Sequence, residues 1–347
     1  MNRQWQEFLA REGAVIQNGI VTDFGNPAEE RNTVGRDNVI ASLSHEGLIG
    51  VTGPDAAKFL QGQLTCNLNE VAPNASRLGA WCSAKGRVRI TFRLFQWDGG
   101  FYLALPLECL DYAITQLQKY ILRSKVSLRD ASDERLRLGC AGPSIEEGLR
   151  EIFKALPQAP DQVVQEGATT IIRLSDSASP CFEVVGTIDT LSAVWNTLRA
   201  RATAVGREAW TALHILAGVP VITPPLTEAF VPHMLNLPEI GAVSFQKGCY
   251  TGQEIVARTQ YLGKSKRHLH LAWIPAGEPP KAGDALWIAA ETEHPGQIVN
   301  SAPAPEGGFL VLAVVASADV KKGGVRLRDQ AGAELAFRAL PYPIASE

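Results

Sequence analysis

No run of apolar residues in the 347-residue chain approaches the ~18 needed to span a bilayer, and no membrane partner is expected. The opening stretch MNRQWQEFLAREGA has no apolar core of the secretory kind. Glu7 and Glu12 argue against a transit peptide despite Arg3 and Arg11, so it reads as a short amphipathic helix with Trp5, Phe8 and Leu9 on one side. The six cysteines (66, 82, 109, 140, 181 and 249) contain no C-x-x-C pair. Reduced thiols in a cytoplasmic protein are expected, with no zinc or iron–sulfur ligand set. G-x-G-x-x-G, Walker A, H-E-x-x-H and G-x-S-x-G are all missing, as are internal repeats, heptads and low-complexity segments. A net charge of −3 exerts no global pull toward nucleic acid.

What is present belongs to a globular protein. The length exceeds the ~250 to 300 residues at which single cores divide, so two or three domains are expected. Residues 39–52 alternate like a strand and end at Gly53-Pro54-Asp55, after which AAKFLQGQL carries a helical apolar face. Residues 77–105 read as strands. In RVRITFRLF, Val88, Ile90, Phe92 and Leu94 face one way and Arg87, Arg89, Thr91 and Arg93 the other, with Asp98-Gly99-Gly100 as the hairpin turn. The arginine-bearing face is either the solvent side of a sheet, the expected reading, or an anion-binding wall. From 106 to 200 helical and strand periods alternate, the pattern of helices packed on one face of an antiparallel sheet. A helix over 206–218 is followed by a connector with four prolines between 220 and 232. After residue 266 helical periodicity vanishes, and six short strands predict a small barrel or sandwich. His268 and His270 share a strand face there without a third ligand, so no dedicated metal site is expected.

The densest chemistry lies in residues 244–258, SFQKGCYTGQEIVAR. Thr251 and Glu254 have capping-box spacing ahead of a helix-compatible run. Cys249 would then sit just outside a helix N-terminus. In an extended approach Lys247 points to the same side as Cys249. A cation and a helix N-terminus both favour a thiolate, which makes Cys249 a candidate reactive thiol, although a buried cysteine and a purely structural turn and cap account for the same residues. The later run Lys264, Lys266, Arg267, His268 is either a solvated surface or a docking patch for phosphate, RNA or the polyglutamate tail of a folate.

The stretch KGCYTGQEIVAR resembles the signature of the YgfZ family, folate-binding proteins similar to the glycine-cleavage T-protein and related to mitochondrial iron–sulfur maturation factors of the Iba/Caf type. PHMLNLPEIGAVSFQ at 232–246 resembles the segment leading into that signature. GLIGVTGPDAAKFLQGQLTCN at 47–67 resembles the N-terminal folate-domain motif shared with T-proteins, and GAWCSAKGRV at 79–88 is a shorter match. The resemblance runs from about residue 40 to the C-terminal strands.

It implies an α+β protein with a T-protein-like folate-binding core, 1–105 with 205–262, around a ferredoxin-like part, 106–204, and a C-terminal small β-barrel, 263–347. It also implies an accessory role in keeping iron–sulfur enzymes active, including tRNA-modifying ones, with tetrahydrofolate or another folate as ligand and iron–sulfur client or assembly proteins as partners. The functional set carried over is Lys247, Gly248, Cys249, Tyr250, Thr251, Gly252, Gln253 and Glu254, with Arg258 in support; Lys247 is expected as the cation beside the functional thiol. The pterin is expected between the 47–67 and 79–103 segments and the signature. True T-proteins carry an acidic residue in the strand matching KGRVRITF, where this chain has Val88, Arg89, Ile90 and Thr91. Without that acid/base group, folate binding without aminomethyl transfer is expected. A folate-dependent one-carbon transferase and an RNA-binding module remain the alternatives.

Overall fold

The computed structural model describes residues 1–175, 179–263, 265–288 and 296–344. Lys264 and the end of the expected strand over 284–290 lie outside the described residues. Two compact units emerge, each assembled from separate stretches. The first comprises Met1–Phe59, Asn69–Arg77 and Arg93–Leu213, and the second Leu60–Leu68, Leu78–Phe92 and His214–Glu347.

In the first unit a six-stranded sheet runs in the order Val163–Glu166, Thr169–Ser175, Cys181–Gly186, Leu136–Ala141, Val39–Ser42 and Thr203–Val205. All its pairings are antiparallel except the last, which is parallel. Leu138, Cys140, Ile171, Phe182 and Val184 alternate onto one face of it. There they meet Trp5 and Leu9 of the N-terminal helix Arg3–Arg11, Ile145 and Leu149 of Ile145–Arg150, and Leu191, Val194, Trp195 and Leu198 of Ile188–Leu198. Ile172, Val185 and Val163 reach the other face and pack against Leu48, Phe95, Tyr102 and Ala104 of a second sheet. The expected layer of helices on one face of a sheet is thus present. The strand Val163–Glu166 was not legible in the periodicity. Arg137 is buried on the sheet between Glu183 and Glu46; burial penalises its charge, but the two carboxylates outweigh that and raise its pKa.

The hairpin closes as the sequence predicts. Trp97 pairs with Gly100, and Asp98 and Gly99 take positive φ values of 47° and 71° in a two-residue turn. Its arginine-bearing face is not the solvent side that the alternation suggested. Val88, Ile90 and Leu94 are fully buried on one face, yet on the other only Arg87 is exposed. Arg93 is buried against Asp161 and Ser76 in the first unit. In the second unit the proline-rich connector lies along the strand: Val88 N–H donates to the Phe230 carbonyl, and the buried Thr91 hydroxyl bonds Pro220 and Ile222. A chain segment with four prolines cannot complete a sheet ladder, so it covers the face by isolated bonds.

The C-terminal part of the second unit has all six expected strands. Gly296–Pro303, Phe309–Ala316, Arg267–Ile274 and Ala336–Arg338 form one antiparallel sheet, and Leu286–Trp287 pairs with Arg326–Leu327. Ala272, Ile298, Val311, Ala313 and Val325 are among the side chains that fill its core. Helical structure does not vanish after residue 266, as periodicity implied: Ser317–Lys322 is a short helix, too brief for a 3.6-residue pattern to register. No helix among the described residues is long and apolar enough to cross a membrane.

Candidate functional site: the signature turn of the second unit

The signature does not approach its helix in extended form. The backbone bends over residues 245–247, which removes the strand alternation expected to put Lys247 and Cys249 on one side. Lys247 turns inward. Its Nζ donates to the carbonyls of Gln61, Leu64 and Cys66 at 2.8, 2.6 and 2.9 Å, and lies 5.1 Å from the Tyr250 ring centroid. An ammonium has three donors, and all three go to this group of carbonyls at the end of the helix Ala56–Gln63. Burial pulls the Lys247 pKa down to about 8, opposed by the charge of the nearby Cys66.

Cys249 is the exposed member of six free cysteines; the other five are buried. Burial pushes the Cys82 thiol up to about 12 against the pull of Arg89, and Cys109 up to about 11 with Glu108 adding to the effect. Tyr250 is buried beside Cys82, and its phenol is raised first by burial and then by that thiol.

The helix starts one residue later than capping-box spacing predicts. Gly252 is the N-cap of Gln253–Leu262, at φ 85°, with no side-chain cap. Thr251 is occupied elsewhere: its N–H donates to the Gly62 carbonyl and its hydroxyl reaches Gln63 at 3.4 Å. The reason lies in the turn below. A Cβ on Gly252 would stand 2.3 Å from the Ser83 carbonyl oxygen and 3.0 Å from the Gly86 Cα, so the backbones of the signature and the hairpin touch. Gly248, by contrast, has open space where its Cβ would be. Glu254 and Arg258 are exposed on the helix.

Thr65 ties the approach down. Its hydroxyl donates to the Ala242 carbonyl and accepts from Ala80 N–H, while its carbonyl accepts from Ser244 N–H. Further along the hairpin, Arg89 pairs with Glu228 at 2.9 Å and lies 4.7 Å from the Trp81 ring centroid. The structure therefore joins three sequence motifs in one unit: the end of 47–67, GAWCSAKGRV and the signature. The contributions of Gln61, Leu64, Cys66, Ser83 and Gly86 escaped sequence reasoning because all five act through backbone atoms. The hydroxyl of Ser83 is buried beside this turn without a hydrogen-bond partner among the described residues.

His268 does not stand free as a metal ligand. Its Nε2 lies 2.8 Å from the Ser265 carbonyl oxygen and its Nδ1 3.4 Å from Asn236 Oδ1. Among the described residues no group of three or more His, Cys, Asp or Glu is placed to hold a metal ion.

The family model described as GCVT N-terminal domain matches residues 10–247. The tRNA-modifying protein YgfZ of Klebsiella pneumoniae (strain 342) is 35% identical over 308 residues, covering 88% of this chain and 93% of that protein. Its namesake from Escherichia coli (strain K12 / DH10B) is 36% identical over 307 residues, with the same coverage of 88% and 93%. The glycine cleavage system aminomethyltransferase T from Bartonella henselae superposes with a TM-score of 0.79 over 98% of this chain and 97% of its own, at 19% identity, a likeness of fold alone. With its T-protein-like fold and this signature turn, the chain belongs to the YgfZ family.

Proposed function

We propose that this protein is a folate-binding accessory factor that supports the assembly or repair of iron–sulfur enzymes, among them enzymes that modify tRNA, with Cys249 as its working thiol. The observation that carries the reading is the presentation of Cys249: one cysteine of six is exposed, and the turn holding it is fixed on one side by Lys247 and on the other by Gly252. A rigid turn offering a lone thiol to solvent suits a protein that acts on a partner. Membership of a family whose curated relatives are named tRNA-modifying proteins supports the client class.

In this reading the T-protein-like core, 1–105 with 205–262, takes the folate. The partnerless Ser83 hydroxyl at the junction of hairpin and signature fits a polar ligand group there, because a buried hydroxyl left unbonded is costly. The part over 106–204 is the ferredoxin-like element, and 263–347 the small C-terminal β-barrel. Tetrahydrofolate would contribute a one-carbon carrier; the protein contributes the pocket and the thiol.

One-carbon transfer by the protein itself is the second reading, favoured by the likeness of fold to an aminomethyltransferase. The strand Val88–Trp97 carries no carboxylate, and Glu228 beside it is neutralised by Arg89. The strand therefore offers no acid/base group of its own for the folate amine, and this reading stands second.

Calorimetry with tetrahydrofolate on the wild type and Cys249→Ala tests both parts. Binding retained in Cys249→Ala, together with loss of a client iron–sulfur enzyme's activity, is expected. Absence of folate binding in the wild type would remove the ligand assignment, and full client activity with Cys249→Ala would remove the thiol's role. Turnover of a methylene donor would replace the accessory reading by the transferase.

A further inference from the structure

The helix that begins at Gly252 ends in open solvent. Tyr261 is 68% exposed and Leu262 84% exposed, two large apolar side chains at its last turn. Arg258 precedes them by three and four residues, the spacing that puts all three on one helix face, and it too is exposed. The Tyr261 ring stands edge-on to Phe245, with centroids 6.0 Å apart and planes at 72°. Phe245 is backed in turn by the buried His233 at 6.1 Å. One edge of the tyrosine is thus supported while most of the ring faces water. Exposed aromatic and aliphatic surface of this kind, continuous with a half-buried phenylalanine, marks a contact site more often than isolated exposed residues do.

The stretch of chain that carries it has charge of one sign. No Asp or Glu occurs between Glu254 and Glu278, whereas Arg258, Lys264, Lys266 and Arg267 all fall in that interval. Arg258, Lys266 and Arg267 form no ion pair with any described residue. Four other arginines of the same unit are neutralised: Arg89 by Glu228, Arg326 by Glu334, Arg328 by Glu278 and Asp284, and Arg338 by Glu306. The carboxylates that come nearest in the chain are set apart. Glu254 lies at the opposite end of the helix, roughly 12 Å along its axis from Leu262. Glu278 is paired with Arg328, and Glu239, more distant in the chain, acts on His233 behind Phe245.

An occupant has to supply negative charge and a flat or apolar group together. An acidic polypeptide supplies charge, but meets the ring only where an apolar side chain falls beside its carboxylates. A nucleic-acid duplex supplies phosphates, but its bases are stacked inside and out of the tyrosine's reach. A single strand supplies both, since its bases stack on aromatic rings and its phosphates meet lysine and arginine. We propose that Arg258, Tyr261, Leu262, Lys266 and Arg267 form a contact surface for single-stranded RNA, with a base stacked on Tyr261 and the backbone phosphates on the cations. This surface shares only Arg258 with the functional set of the signature, and Tyr261, Leu262, Lys266 and Arg267 do not depend on the folate assignment.

Fluorescence anisotropy with a labelled single-stranded RNA of about 20 nucleotides, titrated between about 50 and 200 mM salt, tests this. Tyr261→Ala should weaken binding by about 5- to 100-fold, and Tyr261→Phe should stay within about twofold of the wild type. Lys266→Ala/Arg267→Ala should flatten the logarithmic salt slope by about 1.4. All these side chains are exposed or half-exposed, so the variants are expected to fold, and tetrahydrofolate binding by Tyr261→Ala should be unchanged. The proposal is overturned by no binding at the lowest salt, or by equal binding of wild type and Tyr261→Ala. Equal affinity for a duplex of the same length would overturn it too. So would displacement of the RNA by polyglutamate with the same dependence on Tyr261, which would assign the surface to an acidic protein.

Discussion

Gly252 and Gly86 meet backbone to backbone, and the signature turn sits on the hairpin through that contact. A Cβ on Gly86 would come within 2.8 Å of Ile255 Cβ, and one on Gly252 within 2.3 Å of the Ser83 carbonyl oxygen. Gly252 also holds φ at 85°, a conformation that costs a non-glycine residue roughly 1–2 kcal/mol. Gly252→Ala should therefore destabilise the protein by about 2–4 kcal/mol, read as a drop in the thermal midpoint. Gly248→Ala meets nothing within 4 Å and should stay within about 0.5 kcal/mol of the wild type. Equal stability of the two variants would show that the backbone contact is not what fixes the turn.

Lys247 makes a second, separable prediction. Lys247→Met removes three charge-assisted bonds to the carbonyls of Gln61, Leu64 and Cys66, a loss of about 2–4 kcal/mol. Lys247→Arg should recover only part of it, because a planar guanidinium cannot aim donors at three carbonyls grouped around one point. The alkylation rate of Cys249 at pH 7.5 should change by less than about twofold in Lys247→Met. A fall of tenfold would restore the pairing of cation and thiol that strand alternation suggested.

Much of this was legible in the chain. The alternation of Val88, Ile90, Phe92 and Leu94 specified one buried face of the hairpin, and Asp98-Gly99 specified its turn. The signature marked the turn that Lys247, Tyr250 and Gly252 build against the hairpin and the end of the 47–67 motif. What failed was what depends on distant partners. The opposite hairpin face looked solvated until Asp161 and the proline connector covered it. The capping box had the right spacing, but Gly62 and Gln63 hold Thr251 away from the helix end. Lys247 looked like a neighbour of Cys249, and only the folded chain reveals the carbonyls that take its three donors. Side-chain pattern is written in a sequence, whereas backbone acceptors carry no residue-specific signal.

Cys249 should be the one fast thiol in the native protein. The thiolate is the reactive form, and the other five cysteines are shielded, with Cys82 pushed up to about 12 and Cys109 up to about 11. A thiol reagent at pH 7.5 should modify one group rapidly in the wild type and none in Cys249→Ser. Under denaturant the wild type should yield all six. Two fast thiols in the native state would mean that a second cysteine is accessible and that Cys249 is not singled out by the fold.

His270 predicts how the protein responds to acid. Burial, and then the charge of His268, lowers its pKa from 6.5 to about 4, and its Nε2 is buried without a partner among the described residues. The folded protein thus keeps this ring neutral down to about pH 4, while the unfolded chain takes up a proton near pH 6.5. Below that pH the unfolded state binds more protons, so stability is full above pH 6.5 and is lost as the pH falls through the window from 6.5 to about 4. At about 1.4 kcal/mol for each pH unit of that window, the loss comes to about 3 kcal/mol at its largest. His270→Leu removes the titration and the unpaired nitrogen together, and its ring neighbour Phe337, 5.9 Å away, can receive an apolar side chain. Its thermal midpoint should match or exceed the wild type at pH 7.5, and the advantage should widen steadily down to pH 4. Parallel acid profiles for the two proteins would place the acid sensitivity on other groups.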